Sequence, residues 1–447
     1  MGRTSPLRRV ASFRGRGREA ASPSTFHGST AGRGVDTGDI RVTTLPNGLR
    51  LLTERIDGLR SVAVGVWAAQ GVVHEDPAVM GASHMLEHMV FKGTRRRSAQ
   101  EIALSLESVG GSLDAYTSRE HTSYQARVLD LHVGDAVDVL ADLVRHPLLR
   151  EEDLALEREV VLEEIAMVDD TPEDLIFDLH ASALWDGHPY GYPILGSRET
   201  VAALSSGVLR EIQTRRYGAG NLVIAAAGSL EHEGLRELVE GHFGTLDAGE
   251  VPASVPVPAP TRKGRMHVAR DSAQTHVVLG GPALPHADPR RYALVLLSQA
   301  LGGGMSSRLF QRIREEMGLA YAVYSFHAFY SAGGAMGVYL ATRPATADAA
   351  AEAVREELAR LAREGLPEEE LHRVRSQVKG QLTLALESTG ARLHRLAASA
   401  LHGEPLLSLD ETLARYDAVT ADDVAAVASR FLRPEEMLSV SLGPGGD

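Results

Sequence analysis

Cysteine is absent from the 447 residues. Disulfides are thereby excluded, and so are thiolate metal sites, so any zinc must be held by imidazole and carboxylate. The absence also fits a reducing compartment, and the expected one is a bacterial cytoplasm. No run approaches the roughly 18 apolar residues of a membrane span, so a membrane is not an expected partner. Lysine is nearly missing: only Lys92, Lys263 and Lys379 occur, and arginine supplies the rest of the positive charge. That bias is expected of a GC-rich bacterial genome. At a formal net charge of -13 the chain has no basic surplus, which speaks against nucleic acid as a partner. Residues 1–38 are poor in large apolar side chains and rich in Arg, Ser and Gly. Such a segment cannot bury enough surface to fold, so a disordered arm is expected. It lacks the continuous apolar core of a secretory signal; organellar import is the minor alternative.

What is present is 44% hydrophobic and 23% charged, the profile of a globular protein, at a length that needs two or more domains. Around Pro46-Asn47-Gly48, "RVTTLPNGLRLL" predicts two short strands. Val62, Val64 and Val66 alternate with smaller residues, which predicts a half-buried strand. Ser98 and Glu101 form a capping box for a helix that stops at Gly110-Gly111. "SLDAYTSREHTSYQARVLD" predicts a hairpin, and a helix over about 132–145 follows. Residues 151–170 read as an acidic helix ended by Thr171-Pro172, and 221–228 as a buried strand. After the proline-rich stretch 248–264 the order starts again: a strand at "THVVLGG", helices at "PRRYALVLLSQALGG" and "SSRLFQRIREEMG", a hairpin over 320–342, long helices and a closing strand, "MLSVSLG". The predicted class is α+β, two tandem duplicated α/β units with mainly antiparallel sheets and helices packed on one side. The units span 39–247 and 265–447, joined by an extended linker at 248–264.

"GASHMLEHMVFKGT", residues 81–94, places His84, Glu87 and His88 within five positions. Four residues apart on a helix is one face, so the two imidazoles can share an ion. The pattern H-x-x-E-H is the inverzincin spacing. A catalytic zinc needs a third protein ligand and an open position for water, and Glu87 is placed to take that water's proton. The competing reading is a solvated polar helix face. Met85, Leu86 and Met89 argue against it by anchoring the helix. Third-ligand candidates lie on the acidic helix, where Glu157 and Glu164 are two turns apart on a shared face. Periodicity leaves Glu157, Glu163 and Glu164 all open, and predicts Val160, Val161 and Ile165 as the side that buries them.

Taken together, "HMLEHMVFKGT", "GGSLDAYTSREHTSY" and "EREVVLEEIAM" resemble the pitrilysin, insulin-degrading enzyme and mitochondrial processing peptidase family, nearest its bacterial processing-peptidase-like members. The resemblance covers nearly all of the chain after residue 40. It implies a zinc metalloendopeptidase acting on extended or unfolded peptides in a closed chamber, with one zinc per chain. The family's third ligand, 76 residues after the second histidine, falls on Glu164, and its supporting carboxylate on Glu157. Its substrate-edge strand implies peptide contacts at Asp114, Ala115 and Tyr116. Asp114 stands where many relatives carry Asn, which removes two amide donors. The second half has no H-x-x-E-H, but "RIREEMGLAYAV" holds Arg314 and Tyr321 at the spacing of a pair that, in active relatives, completes the site across the cavity. Four α/β units make a family chamber and this chain supplies two, which implies a homodimer. The rival reading is a non-catalytic peptide-binding or scaffolding subunit. The glycines of "LGGGMSSRLF" lack the Gly-Lys-Ser/Thr of a phosphate loop and read as a structural turn.

Overall fold

The computed structural model describes residues 39–259 and 261–445. The arm expected at 1–38 lies outside the described residues. Strands β1 (Ile40–Thr44), β2 (Arg50–Arg55), β3 (Ser61–Ala68), β4 (Ser112–Thr117), β5 (Thr122–Leu129) and β6 (Leu222–Gly228) form one sheet in the order β1-β2-β6-β3-β5-β4. A second sheet holds β7 (Gly264–Ala269), β8 (Thr275–Ala283), β9 (Ala320–Phe329), β10 (Gly334–Thr342) and β11 (Leu438–Gly443), in the order β7-β11-β8-β10-β9. In each sheet the first strand of the repeat pairs parallel with the last, β2 with β6 and β7 with β11, and all other pairs are antiparallel. Apart from β1, the two halves therefore thread their strands identically, which is the mark of one α/β unit used twice.

The helices of the first half are α1 (Ala82–Met89), α2 (Ala99–Glu107), α3 (Val133–Arg145), α4 (Glu151–Asp169), α5 (Pro172–Leu184), α6 (Arg198–Ala203), α7 (Ser206–Arg216) and α8 (His232–Phe243). Those of the second are α9 (Arg291–Gly302), α10 (Ala347–Glu364), α11 (Glu368–Ala385), α12 (Thr389–Leu401), α13 (Leu409–Asp417) and α14 (Ala421–Phe431). The Ser98–Glu101 capping box is present at α2 in both directions. The helix expected near 306–318 is present, wound as a wider π-helix over Phe310–Glu316. β7 opens at Gly264, in a stretch whose only apolar alternation is Met266 and Val268. Among the described residues no helix is long and apolar enough to cross a membrane.

Each sheet packs its own helices on one face. Val62, Val64, Val66 and Ile224 meet Met85, Leu86 and Met89 of α1 and Val137 and Leu140 of α3. Val277, Leu279, Val338 and Leu340 meet Leu294, Leu297, Val354 and Leu358. The opposite faces are covered by an exchange. Leu393, Leu396, Ala397 and Ala400 of α12 pack on Leu52, Ala63, Trp67, Val223 and Ala225 of the first sheet. Ile176 and Leu184 of α5 pack with Val278, Tyr339, Leu438 and Val440 of the second, where Phe177 stacks on Tyr339 at 5.6 Å. Polar contacts lock the exchange. Glu54 on β2, fully buried, pairs with Arg392 and with Arg395 of α12, the latter at 2.9 Å. The hairpin turn between β4 and β5 reaches the turn between β9 and β10, where Glu120 accepts from the Ser331 backbone N–H at 2.9 Å and from the Tyr190 hydroxyl. The exchange explains why β3 is not half-buried: Ala63 and Trp67, on its second face, lie under α12 at 3% and 1% exposure.

Candidate metal centre

Helix α1 starts where the chain turns through Gly81 at φ 90. A side chain is excluded there, because a Cβ would sit 2.6 Å from the Leu195 carbonyl oxygen. Glu75, almost fully buried, caps this start by accepting from the N–H groups of Gly81 at 2.8 Å and Ser83 at 2.6 Å. Exposed helix N–H groups favour a carboxylate, while burial pushes the Glu75 carboxyl up to about 7 against those two hydrogen bonds. Met85, Leu86 and Met89 are buried in the core, which leaves His84, Glu87 and His88 to face away from it toward α4 and β4.

His84 Nε2 and His88 Nε2 lie 3.2 Å apart. Glu164 Oε2 on α4 is 3.7 Å from each of them. Ligands at roughly 2.0–2.2 Å in a tetrahedral arrangement are about 3.3–3.6 Å from one another, so the three donors fit a zinc ion with small adjustment. Tautomer chemistry supports the fit. His88 Nδ1 contacts Glu157 Oε1 at 2.9 Å. The Glu157 carboxyl is held below its usual range: burial pulls it up, but His88 and Lys92 together prevail. An ionised carboxylate can only accept, so Nδ1 carries a proton, and in the neutral ring this leaves Nε2 as the ligating nitrogen. Donor atoms from two imidazoles and a carboxylate thus converge on one point, a set that a cation can bridge. Burial, with the neighbouring His88, pulls His84 down to about 3, so it is neutral and ready to ligate. Burial also lowers His88, but Glu157, Glu164 and Glu87 outweigh it and raise the group overall.

The acidic helix is thereby sorted. Glu164 joins the donor group, Glu157 supports His88, and Glu163 is exposed. Val161 and Ile165 are buried as expected, but Val160 is 44% exposed, because it lies about 100° around α4 from Val161. Glu87 is raised by burial, and its carboxylate accepts a hydrogen bond from Thr117 Oγ1 at 2.7 Å. Thr117, Lys92, whose Nζ pairs with Glu157, and Glu75 were not among the residues singled out from sequence. The lysine stands in the quoted "HMVFKGT", so the helix period could have flagged it. Glu75 and Thr117 have no periodic relation to the histidines.

β4 pairs on one side with β5 and forms the edge of its sheet. Its side chains alternate. Leu113 and Ala115 turn to the core side, and Thr117 to Glu87. Tyr116 turns the other way, its hydroxyl 3.4 Å from Trp67 Nε1 and 3.2 Å from His121 Nε2. Asp114 is exposed. Asp114 and Tyr116 thus lie on the face of β4 opposite Thr117, and among the described residues the outer edge of the strand has no ladder partner. Arg314 and Tyr321 meet each other: the guanidinium lies 4.9 Å from the Tyr321 ring and 4.6 Å from that of Phe310. Tyr321 is 77% exposed, and no hydrogen bond or ion pair joins either residue to the donor group.

Residues 50–198 match the family model described as insulinase (peptidase family M16), and 203–378 match the peptidase M16 inactive domain. An uncharacterized zinc protease of Streptomyces coelicolor is 42% identical over 91% of this chain and 90% of its own length. Another, from Bacillus subtilis, is 38% identical over 91% of this chain and 99% of its own. Among solved structures, a peptidase M16 inactive domain from Pseudomonas fluorescens superposes with a TM-score of 0.86 at 23% identity, covering 91% of this chain and 98% of that one. A protease from Helicobacter pylori does so at 0.85 and 22%, covering 91% and 100%; at these identities the likeness concerns the fold. Sequence identity sustained over nine tenths of both chains, on a duplicated fold with a His-His-Glu group in the first half, establishes that the chain belongs to peptidase family M16.

Proposed function

We propose that the protein is a zinc metalloendopeptidase that binds one zinc per chain through His84, His88 and Glu164 and hydrolyses extended peptides. The observation that carries the reading is the convergence of three donor atoms 3.2–3.7 Å apart beside a buried carboxylate, Glu87. Bound there, zinc supplies Lewis acidity that makes water a nucleophile near neutral pH. Glu87 takes the proton of the attacking water and returns it to the leaving nitrogen. Glu157 holds His88 in its ligating tautomer. A substrate backbone adds to the free edge of β4 along Asp114, Ala115 and Tyr116, which favours extended chains with little side-chain selectivity.

Because the halves exchange α5 and α12, we place the opening and closing of the chamber between two chains of a homodimer rather than within one. Arg314 and Tyr321 then reach the metal site of the second chain, the tyrosine donating to the carbonyl oxygen as charge builds and the arginine holding a substrate carbonyl. The rival, non-catalytic reading draws on the inactive-domain name of the model matched by 203–378, but the donor group of the first half is complete. The test is zinc content together with mass spectrometry of a digested peptide library. Wild type should bind zinc and cleave, while Glu87→Gln should bind zinc and not cleave. Zinc-loaded wild type that leaves every peptide intact would establish the scaffold reading instead.

A further inference from the structure

Thr117 ends β4 with its side chain on the α1 side of the sheet. A hydroxyl has one proton to donate. The other hydroxyl near it, Thr122 Oγ1, is 3.5 Å away and directs its own proton to the Gln70 carbonyl at 2.9 Å. The Thr117 proton is thus committed to Glu87 Oε2 at 2.7 Å. Among the described residues no other side chain is hydrogen-bonded to Glu87.

We propose that Thr117 is a positioning residue for Glu87, orienting its carboxylate toward the reacting water from the same strand whose edge receives the substrate. The proposal rests on the reading of Glu87 as general base. Its physical content is that a carboxylate swings freely about its last torsion unless one oxygen is tethered, and a base aligned only part of the time lowers turnover rather than affinity. The tether comes from the strand that the peptide joins, so ordering β4 by strand addition also orders the base.

The test compares Thr117→Val, which keeps the size and branching suited to a strand, with Thr117→Ser, which keeps the hydroxyl. Steady-state kinetics are measured on a peptide that the wild type cleaves, alongside zinc content. Binding of the same peptide, fluorescein-labelled, to zinc-free protein is followed by anisotropy. Thr117→Val should lose about 10- to 100-fold in kcat, while KM stays within about threefold and zinc content and peptide binding are unchanged. Thr117→Ser should retain kcat within about threefold of wild type. Three results overturn the proposal: Thr117→Val turning over like wild type, Thr117→Ser falling as far as Thr117→Val, or a loss confined to KM, peptide binding or zinc. Glu87→Gln in the same series separates the two readings. If it cleaves like wild type, the role of Glu87 fails; if it is inert while Thr117→Val is fully active, only Thr117 fails.

Discussion

Glu157 shows how much of the site is decided by single side chains. At 5% exposure it contacts His88 Nδ1 with one oxygen and Lys92 with the other. Glu157→Gln keeps the shape but weakens the hold on the His88 tautomer, and metal affinity should fall by about 10- to 100-fold. Chelator competition measures this, and unchanged affinity would remove the supporting role. Buried imidazoles set the acid limit of stability. Burial lowers His74, His121 and His180 to about 4, so between pH 6.5 and 4 the unfolded chain binds protons that the folded one does not. Their contribution is complete above pH 6.5 and is lost as the pH falls toward 4, by on the order of 3 kcal/mol per imidazole at most. Glu75, raised to about 7, and Glu87, Glu164 and Asp178, also raised by burial, act in the opposite direction, while Asp138, Glu157 and Glu404, held low by cationic partners, act with the imidazoles. Urea midpoints should therefore drop between pH 7 and pH 4.5; a flat profile would mean that these rings are solvated.

At the scale of elements, α12 is the clearest case of a helix whose value lies in where it docks. Leu396, fully buried under the first sheet, belongs by sequence to the second half. Leu396→Ala removes packing that the sheet cannot close over, and should cost about 2–5 kcal/mol. The exchange also couples the halves. Trp67 reports on the first sheet and Trp185 on the second, each in the cluster that receives the other half's helix. Single-tryptophan variants should show coincident denaturant transitions; two separated midpoints would contradict the interlock.

At the scale of the whole molecule, exposure of Tyr321 in a chain whose halves are pinned together argues for a site shared between two copies. Glu87→Gln and Tyr321→Phe should each be nearly inactive alone. If the tyrosine acts on the other chain's site, a mixed dimer joins an intact Glu87 to an intact Tyr321 at one of its two sites. Random re-assembly of equal amounts should then recover roughly a quarter of wild-type turnover, since about half the dimers are mixed and half their sites complete. No recovery on mixing would place the pair on its own chain's site, or outside catalysis.

The local patterns were legible in the sequence because they depend on near neighbours. The His84–His88 spacing, the Ser98–Glu101 box, the Pro46-Asn47-Gly48 turn and the repeated element order each follow from helix period, capping chemistry or turn residues. Glu164 was narrower than periodicity allowed: the helix period left three glutamates open, and the resemblance pointed to one. What only the tertiary structure decided is everything carried across sequence distance. It set the exposure of Val160 and Glu163 against the burial of Val161 and Glu157, the Thr117 tether and the Glu75 cap, and the second burial of β3 by α12. Alternation along a strand tells which side chains share a face, but not what will cover that face, since the covering helix lies more than 300 residues on in the chain.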